Sequence, residues 1–185
     1  ESDARLNPIH PALGAWKTAQ DLAVLTARLQ WWLGFPSKWL LQVFRLLLFV
    51  LLMLPGFIPP FFTYLFSSKV KKNIVYGPAW RHQLDIYLPM TKSSGRKHPV
   101  VIFISGGAWI IGYKAWGFIM GQIFQQCGVL FIAPDYRNFP EVTVGSMIDD
   151  VIHAVSWVFE HLDELGGDPG NVTLMGQSAG AHLSA

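Results

Sequence analysis

The chain has 185 residues, of which 51% are hydrophobic and only 14% are charged, and its mean hydropathy is positive. This length allows one domain with an appendage, and the composition indicates that part of the chain lies in lipid. Residues 1–97 carry twelve Lys and Arg against four Asp and Glu, whereas residues 98–185 carry two against eight. Because the basic half is also the apolar half, the pattern favours a lipid bilayer as partner and argues against a nucleic acid.

Cysteine and histidine usage indicates neither a disulfide nor a metal. The single Cys127 cannot form an internal disulfide and fits a reducing compartment. The six histidines show no metal-ligand spacing, so we expect no metal and no cofactor. The sequence starts at Glu1 and stops at Ala185, and we interpret it as a fragment at both ends. It does not indicate an oligomeric state.

The N-terminal region is predicted to meet a membrane surface. Residues 1–14 look irregular, and an amphipathic helix is expected from Asp21. Its apolar face carries Leu22, Leu25, Leu29 and Trp32 or Leu33. The tryptophans Trp31, Trp32 and Trp39 are typical of a lipid headgroup region. The alternative is a core-packing helix of an ordinary soluble domain.

A hydrophobic block follows. No charged residue occurs from Leu46 to Phe66, which is long enough to cross a bilayer core of roughly 30 Å. Prolines inside the block predict a break, with one helix over residues 39–54 and a second over residues 57–66, as a hairpin or kinked span. Basic residues flank both sides, which leaves the topology open and slightly favours cytosolic ends. We therefore assign residues 1–68 to a helical, membrane-associated region.

Residues 69–185 have the rhythm of an α/β domain with a mostly parallel sheet. Strands are expected at residues 73–76, 84–88, 100–104 and 129–133, and helices over residues 115–126 and from Ser146 to a C-terminal cap at Gly166. In the second helix, Asp149 and Asp150 are placed in the first turn. The predicted apolar stripe comprises Ile148, Val151, Ile152, Val155, Phe159 and Leu162.

A G-x-S-x-G motif lies at Gly176 to Gly180, between an apolar strand at residues 172–175 and a run of small residues. This pattern predicts a strand, a sharp turn and a helix, with Ser178 in a strained conformation and its hydroxyl projecting as a nucleophile. The N–H of Ala179 and the amides of Gly106 and Gly107, after the strand at residues 100–104, would then stabilise an oxyanion. The alternative is that these glycines serve only tight turns and close packing.

The sequence shows no base for Ser178. His182 would lie on the helix behind the turn, and His153 and His161 are expected at the surface. Asp135 ends a strand and is expected to pair with Arg137 or a turn amide. In hydrolases with this motif the order is Ser, then Asp or Glu, then His, so we expect both partners beyond Ala185. The chain alone is then expected to be inactive or nearly so.

Four segments, at residues 106–117, 135–140, 166–169 and 175–182, resemble the plant isoprenylcysteine methylesterases, which are membrane-bound relatives of hormone-sensitive lipase. The resemblance implies the N-terminal part of an α/β-hydrolase fold over residues 69–185, ending just after the nucleophile turn. It implies hydrolysis of the methyl ester on a C-terminal S-farnesyl- or S-geranylgeranyl-cysteine. It also implies membranes of the endoplasmic reticulum and Golgi, with the catalytic domain on the cytosolic side.

The resemblance also implies roles for individual residues. Ser178 would be the nucleophile, and the site would be lined by Gly106, Gly107, Ala108, Gln177 and Ala179. One departure from the wider lipase-like group is Ser105, where a histidine usually precedes the glycines. The apolar residues after the glycines are candidates for a wall around the prenyl chain, or for ordinary core or lid packing: Trp109, Ile110, Ile111, Tyr113 and Trp116.

Three alternatives stay open. The first is a membrane-associated carboxylesterase or lipase that acts on other esters. The second is a hydrolase-fold protein that binds a small ligand without turnover. The third is a truncated product that acts only as a membrane-bound remnant. An Asp and a His on late loops would favour an enzyme, and loss of the His would favour a binding protein.

Overall fold

The structure is a computed structural model that describes residues 11–34, 37–91 and 95–185. The chain divides into two compact units, one ending at Leu54 and the other spanning Pro55–Ala185. The second unit contains the sheet and the serine motif. The domain boundary expected at residues 68 and 69 stays a prediction.

Helix α1 spans Pro11–Trp32. It begins ten residues before the predicted start at Asp21, so the expectation of an irregular segment is wrong for residues 11–14, while residues 1–10 lie outside the described residues. Pro11 is tolerated because the backbone N–H of the first helical residue would have no acceptor within the helix, so its absence in proline costs nothing. In the part of α1 whose side chains the structure describes, apolar residues such as Leu25 and Trp32 are exposed.

Helix α2 spans Ser37–Phe66 as one continuous helix. The predicted break into two helices is wrong, because the helix continues through Pro55, Pro59 and Pro60. Near these prolines the Thr63 hydroxyl donates a 3.0 Å hydrogen bond to the carbonyl of Pro59. Among the described residues, Lys38–Phe66 is one helix long and apolar enough to cross a membrane.

Five strands form one mixed sheet. They are β1 (Val70–Val75), β2 (Gln83–Tyr87), β3 (His98–Ile104), β4 (Leu130–Pro134) and β5 (Gly167–Gly176), in the order β1-β2-β4-β3-β5. The β1–β2 and β2–β4 pairs are antiparallel, and β3 pairs in parallel with both β4 and β5. The expectation of a mostly parallel sheet is therefore wrong for β1 and β2, whose pairs are antiparallel. Strand β2 pairs with β4 and not with β3, the next strand in sequence.

Helices α3 (Phe118–Gln126), α4 (Val144–Leu165) and α5 (Ala179–Ser184) belong to the same unit as the sheet. A 3₁₀ turn at Lys114–Gly117 leads into α3. Because α4 begins at Val144, Asp149 and Asp150 lie in its second turn, not in the first as predicted. Gly166 caps α4 with φ of 73°, as expected for its left-handed cap.

The buried face of α4 differs from the predicted stripe. Ile148, Ile152 and Phe159 are exposed, whereas Val151 and Leu162 are buried. The buried apolar face comprises Met147, Val151, Ala154, Val158 and Leu162. Two apolar faces are present on this helix, and the choice between them depends on how it packs on the sheet.

The core lies on both faces of β3 and β4, whose side chains are almost all buried. One face packs against α4, and the other carries aromatic side chains that include Tyr87, Phe103 and Phe131. The parallel register pairs Ile104 of β3 with Gly176 of β5. The segments that follow these two residues therefore leave the sheet at the same edge.

Candidate active site

Ser178 occupies a sharp turn between β5 and α5. Its backbone has φ of 52° and ψ of −119°, a strained conformation for a residue with a side chain. The turn is held by hydrogen bonds from the Gln177 N–H to the Ile104 carbonyl (3.1 Å) and from the Gly180 N–H to the Gln177 carbonyl (2.8 Å). The serine side chain is exposed. The structure thus contains the predicted strand, turn and helix.

Close packing explains the two glycines of the motif. A Cβ on Gly176 would lie 2.4 Å from the Cα of Ala181. A Cβ on Gly180 would lie 2.1 Å from the carbonyl oxygen of Ile104. Both contacts are with backbone that cannot move aside cheaply, so glycine is required at these positions for the helix to approach the sheet.

The second glycine pair lies against this turn. A Cβ on Gly106 would lie 2.6 Å from the Gln177 carbonyl oxygen and 3.0 Å from the Cβ of Ser178. The next residues form their own turn, in which Gly107 has φ of 141° and Ala108 and Trp109 have φ of 50° and 62°. The structure therefore brings together two glycine motifs that are about seventy residues apart in sequence.

Free backbone N–H groups occur on the two turns that meet at the serine. Within the described residues, the N–H groups of Gly106, Gly107 and Ala179 donate no hydrogen bond to the protein. The Ala179 N–H is the first of α5 and has no intrahelical acceptor. Amides of this kind next to a serine can donate hydrogen bonds to a developing oxyanion and stabilise its charge.

Buried polar side chains fix the Gly106 turn. The Tyr136 hydroxyl donates to the Ser105 carbonyl at 2.9 Å, and burial raises the pKa of Tyr136 to about 12, so it stays a donor at neutral pH. The Asn138 side-chain amide donates to the Gly112 carbonyl at 2.9 Å, and Arg81 donates to the same carbonyl. The turn is thus anchored at its start and near its end.

Asp135 pairs with Arg81, so the expected pairing with Arg137 is wrong, whereas the alternative of a turn amide is not contradicted. The Arg81 guanidinium lies 2.7 Å from the Asp135 carboxylate. Burial raises the pKa of Asp135, and Arg81 partly offsets that effect. Arg137 instead binds Asp150 of α4 through two guanidinium hydrogen bonds. Asp135 therefore supports the turn through Arg81, and nothing in the described residues connects it to a histidine.

The sequence did not single out Arg81 or Asn138 for the site. Asn138 lies in a segment that carried the family resemblance, so its position was a usable signal. Arg81 is 54 residues from Asp135 and 31 from Gly112, and its contacts follow only from the antiparallel placement of β2 beside β4. No local pattern marks such a residue.

His182 packs rather than acts as a base in this structure. Its ring lies 5.5 Å from the ring of Trp109 in a perpendicular arrangement, and its backbone N–H donates to the Ser178 carbonyl. His153 is exposed, and His161 stacks on Trp157. Among the described residues, no histidine hydrogen-bonds to the Ser178 hydroxyl.

An apolar groove lies beside the Gly106 turn. It has a volume of about 240 Å³ and is lined by Ala108, Trp109, Ile110, Phe139, Val144 and Met147. Tyr113 and Trp116 are partly exposed, with their rings 6.3 Å apart, and the Trp116 indole N–H donates to the Ile111 carbonyl. Phe139, Val144 and Met147 were not expected at the site, because their approach to Trp109 depends on the chain between β4 and α4.

The chain is similar in sequence to a known family and to named methylesterases. Residues 84–185 match the family model BD-FAE. A probable isoprenylcysteine alpha-carbonyl methylesterase of Arabidopsis thaliana is 44% identical over 161 residues, which cover 87% of this chain and 38% of that protein. An isoprenylcysteine alpha-carbonyl methylesterase of the same plant is 42% identical over 161 residues, with 87% and 37% coverage. The chain thus spans less than two fifths of the length of these relatives.

A solved structure shows the same architecture. The crystal structure of esterase B from Lactobacillus rhamnosis, described with a tributyrin phosphonate inhibitor, superposes with a TM-score of 0.58 at 26% identity and covers 63% of this chain and 38% of that one. The sheet and the serine turn therefore form part of an α/β-hydrolase fold, as the sequence predicted, with a span-length helix before it. Since the family model matches more than half of its residues, the chain belongs to the BD-FAE family.

Proposed function

We propose that the protein of which this chain is part is a carboxylic ester hydrolase that uses Ser178 as nucleophile and acts on S-prenylcysteine methyl esters. The observation that carries this proposal is the contact of Gly106 with the Ser178 turn, which sets free amides beside a strained, exposed serine. Strain at a serine that the surrounding backbone holds in place is typical of a functional turn.

The proposed reaction begins when Oγ of Ser178 attacks the ester carbonyl carbon. The carbonyl oxygen becomes an oxyanion and accepts hydrogen bonds from the N–H groups of Gly106, Gly107 and Ala179. A base takes the serine proton and returns it to the departing methoxide, which leaves as methanol. Water then attacks the acyl-enzyme and releases the carboxylate and Ser178. We propose that the base and its acid lie beyond Ala185, and that Ala108 and Gln177 line the site.

The proposed substrate follows from the surroundings of the serine and from the relatives. The groove and the partly exposed Trp109, Tyr113 and Trp116 offer an apolar surface for an isoprenoid chain. The relatives that are 42–44% identical are named isoprenylcysteine methylesterases. A helix long and apolar enough to span a membrane would hold the enzyme where prenylated substrates concentrate.

The proposed location is a membrane of the endoplasmic reticulum or Golgi, with the catalytic unit on the cytosolic side. Lys69, Lys71 and Lys72 follow α2, whereas Arg28 and Lys38 precede the apolar stretch, so the cation excess next to the catalytic unit favours the cytosolic side only slightly. The family resemblance supports the choice of membrane, and immunolocalisation with protease protection of the tagged full-length protein tests it.

A second candidate is a general esterase for short-chain esters. It is favoured by the similarity to esterase B, whose structure is described with a tributyrin phosphonate, and by the modest volume of the groove. In this case the membrane helix would only locate the enzyme.

One assay separates these candidates. The full-length protein in membranes is given farnesylcysteine methyl ester or methyl butyrate, and methanol release is measured for the native protein and for Ser178→Ala. Preference for the prenylated ester, lost in the variant, supports the methylesterase. Preference for the butyrate supports the general esterase, and absence of methanol release together with binding of the prenyl compound would contradict both.

A further inference from the structure

A fully buried ion pair lies below the Gly106 turn. The Lys114 ammonium is 3.0 Å from the Asp85 carboxylate, and their side chains are 2% and 0% exposed. The ammonium also donates to the side-chain oxygen of Asn73 at 2.6 Å. A buried charge is stable only when its partners satisfy it, so the positions of these groups depend strongly on one another.

The last turn of α2 supplies a further partner. The Tyr64 hydroxyl donates a 2.7 Å hydrogen bond to Oδ2 of Asp85. The other carboxylate oxygen, Oδ1, accepts the backbone N–H of Asn73 at 2.9 Å. Asn73 has φ of 59° at the irregularity between β1 and β2, so its backbone is turned toward the carboxylate. Four separate segments of the Pro55–Ala185 unit therefore meet at one carboxylate.

Other contacts fix the end of α2 on the same unit. The Lys72 ammonium donates to the Leu65 carbonyl at 3.0 Å, which places a cation at the helix C-terminus. The Phe61 ring lies 6.4 Å from the ring of Phe118 in α3, and Gln122 of α3 donates to the Pro60 carbonyl. Pro60, Phe61, Tyr64 and Leu65 thus contact the rest of the folded unit, whereas Phe62 and Phe66 are exposed.

Lys114 is also the residue at which the candidate oxyanion turn ends. The turn leaves β3 at Ser105 and runs through Gly106 and Gly107 to Tyr113, and Lys114 begins the 3₁₀ turn after it. Tyr136 holds the start of the turn at Ser105, and Asn138 holds Gly112. The residue directly after the turn, Lys114, is fixed by the contact of its side chain with Asp85. A shift of Lys114 would therefore reach the amides that lie beside Ser178.

We propose that Tyr64 is a positioning residue for the candidate active site: its hydroxyl orients Asp85, which fixes Lys114 and with it the Gly106–Tyr113 turn. The end of the apolar helix is then part of the catalytic unit and not only its anchor. This inference rests on the proposed ester hydrolysis, since it assigns Tyr64 a role in the same site.

The test uses the full-length protein in membranes with Tyr64→Phe, which removes one oxygen atom and keeps the packing. Because misplaced donors act on the transition state more than on substrate binding, kcat is expected to fall about tenfold with KM changed less than about twofold. Both constants are measured for methanol release from the ester that the native protein prefers.

Tyr87→Phe is the matched control. Tyr87 is fully buried, its ring lies 6.3 Å from that of Tyr64, and its hydroxyl has no hydrogen-bond partner among the described residues. This variant removes a hydroxyl at a neighbouring buried position without touching Asp85, so kcat and KM are expected to stay within about twofold of the native values.

A second readout does not depend on turnover. Hydrogen–deuterium exchange of the peptide covering residues 105–113 is expected to be faster in Tyr64→Phe and unchanged in Tyr87→Phe. In a double-mutant cycle with Lys114→Met, the two losses of kcat are expected to be strongly non-additive, because both changes act through Asp85. If Lys114→Met does not fold, the exchange comparison of the two tyrosine variants decides alone.

The outcomes separate this inference from the proposed function. Equal kcat and equal exchange in the two tyrosine variants, with native hydrolysis intact, would overturn the role of Tyr64 alone. A native protein that hydrolyses no ester would overturn the proposed function, and the exchange comparison would then still decide whether Tyr64 fixes the turn.

Discussion

Gly106 lies directly against Ser178, and a Cβ on the glycine would be 3.0 Å from the Cβ of the serine. The contact arises because Ile104 of β3 pairs with Gly176 of β5, so that the residue two positions later in each segment leaves the sheet at the same edge. The candidate nucleophile and its candidate donors are thus placed by strand register. Their geometry is set by the core of the sheet rather than by a flexible loop.

Gly106→Ala is expected to damage the site without unfolding the protein. The added methyl group would lie 2.6 Å from the Gln177 carbonyl oxygen, so the serine turn or the Gly106 turn must shift. Loss of a well-placed oxyanion donor costs about 10²–10³ in kcat in serine hydrolases, and a loss of at least about 10² is expected here. It is measured as kcat for ester hydrolysis by the full-length protein.

Gly145→Ala is the control for this substitution. Gly145 lies in the first turn of α4, and the nearest atom to an added Cβ is 3.9 Å away. Alanine is favoured over glycine in a helix, so stability is expected to rise slightly and kcat to stay unchanged. Equal activity of the two variants would contradict the placement of Gly106 beside Ser178.

Asp150→Asn is expected to destabilise the fold by about 3 kcal/mol at pH 7. The Asp150 carboxylate is 2% exposed, binds Arg137 through both oxygens and lies 2.9 Å from the His82 ring nitrogen. Burial alone would raise the pKa of Asp150, but its hydrogen bonds with Arg137 and the nearby His82 ring outweigh burial and lower it. Free energies of unfolding by denaturant, in detergent, measure the effect.

The pH dependence of that difference has a definite sign. Because the pKa of Asp150 is lower in the folded state, its stabilising contribution is complete above the unfolded pKa of about 4 and declines as the pH falls toward the folded value. The difference in the free energy of unfolding between native protein and Asp150→Asn should therefore narrow as the pH falls below 4. Asp149 is exposed and adjacent in sequence, so Asp149→Asn is the control. An equal loss of unfolding free energy in the two variants would argue against a specific role for Asp150.

Leu52→Lys is expected to remove the protein from the integral membrane fraction. Leu52 is 70% exposed near the middle of the Lys38–Phe66 stretch, and a lysine at the centre of a span costs about 2.5–3.5 kcal/mol of insertion. Extraction of membranes with alkaline carbonate should release this variant and retain Leu52→Phe. Retention of both variants to the same extent would argue that α2 does not span the bilayer.

Local patterns predicted the parts of the site that depend on neighbours in sequence. The turn at Ser178 follows from a buried strand, flanking glycines and small residues, all within ten positions. The glycines at 106 and 107 follow from the apolar strand before them. The serine turn and the glycine pair each follow the carboxyl end of a predicted strand. Parallel pairing of these two strands then brings the two turns together.

Contacts between residues far apart in the chain could not be predicted from local sequence patterns. Nothing local to β2 shows that it runs antiparallel beside β4, which is the arrangement that brings Arg81 to Asp135. The same holds for Tyr64 and Asp85, which belong to an apolar helix and a buried strand. The prolines of α2 do not end the helix as predicted, because their effect depends on whether the carbonyls that they leave free find other partners.

The central claim, that Ser178 is the nucleophile of an ester hydrolase, is tested most directly by covalent labelling. The full-length protein is treated with a butyl fluorophosphonate, digested and mapped by mass spectrometry. We expect one adduct, on Ser178, with loss of ester hydrolysis in proportion to labelling and no adduct in Ser178→Ala. An adduct on another residue, or ester hydrolysis that survives in Ser178→Ala, would contradict the claim.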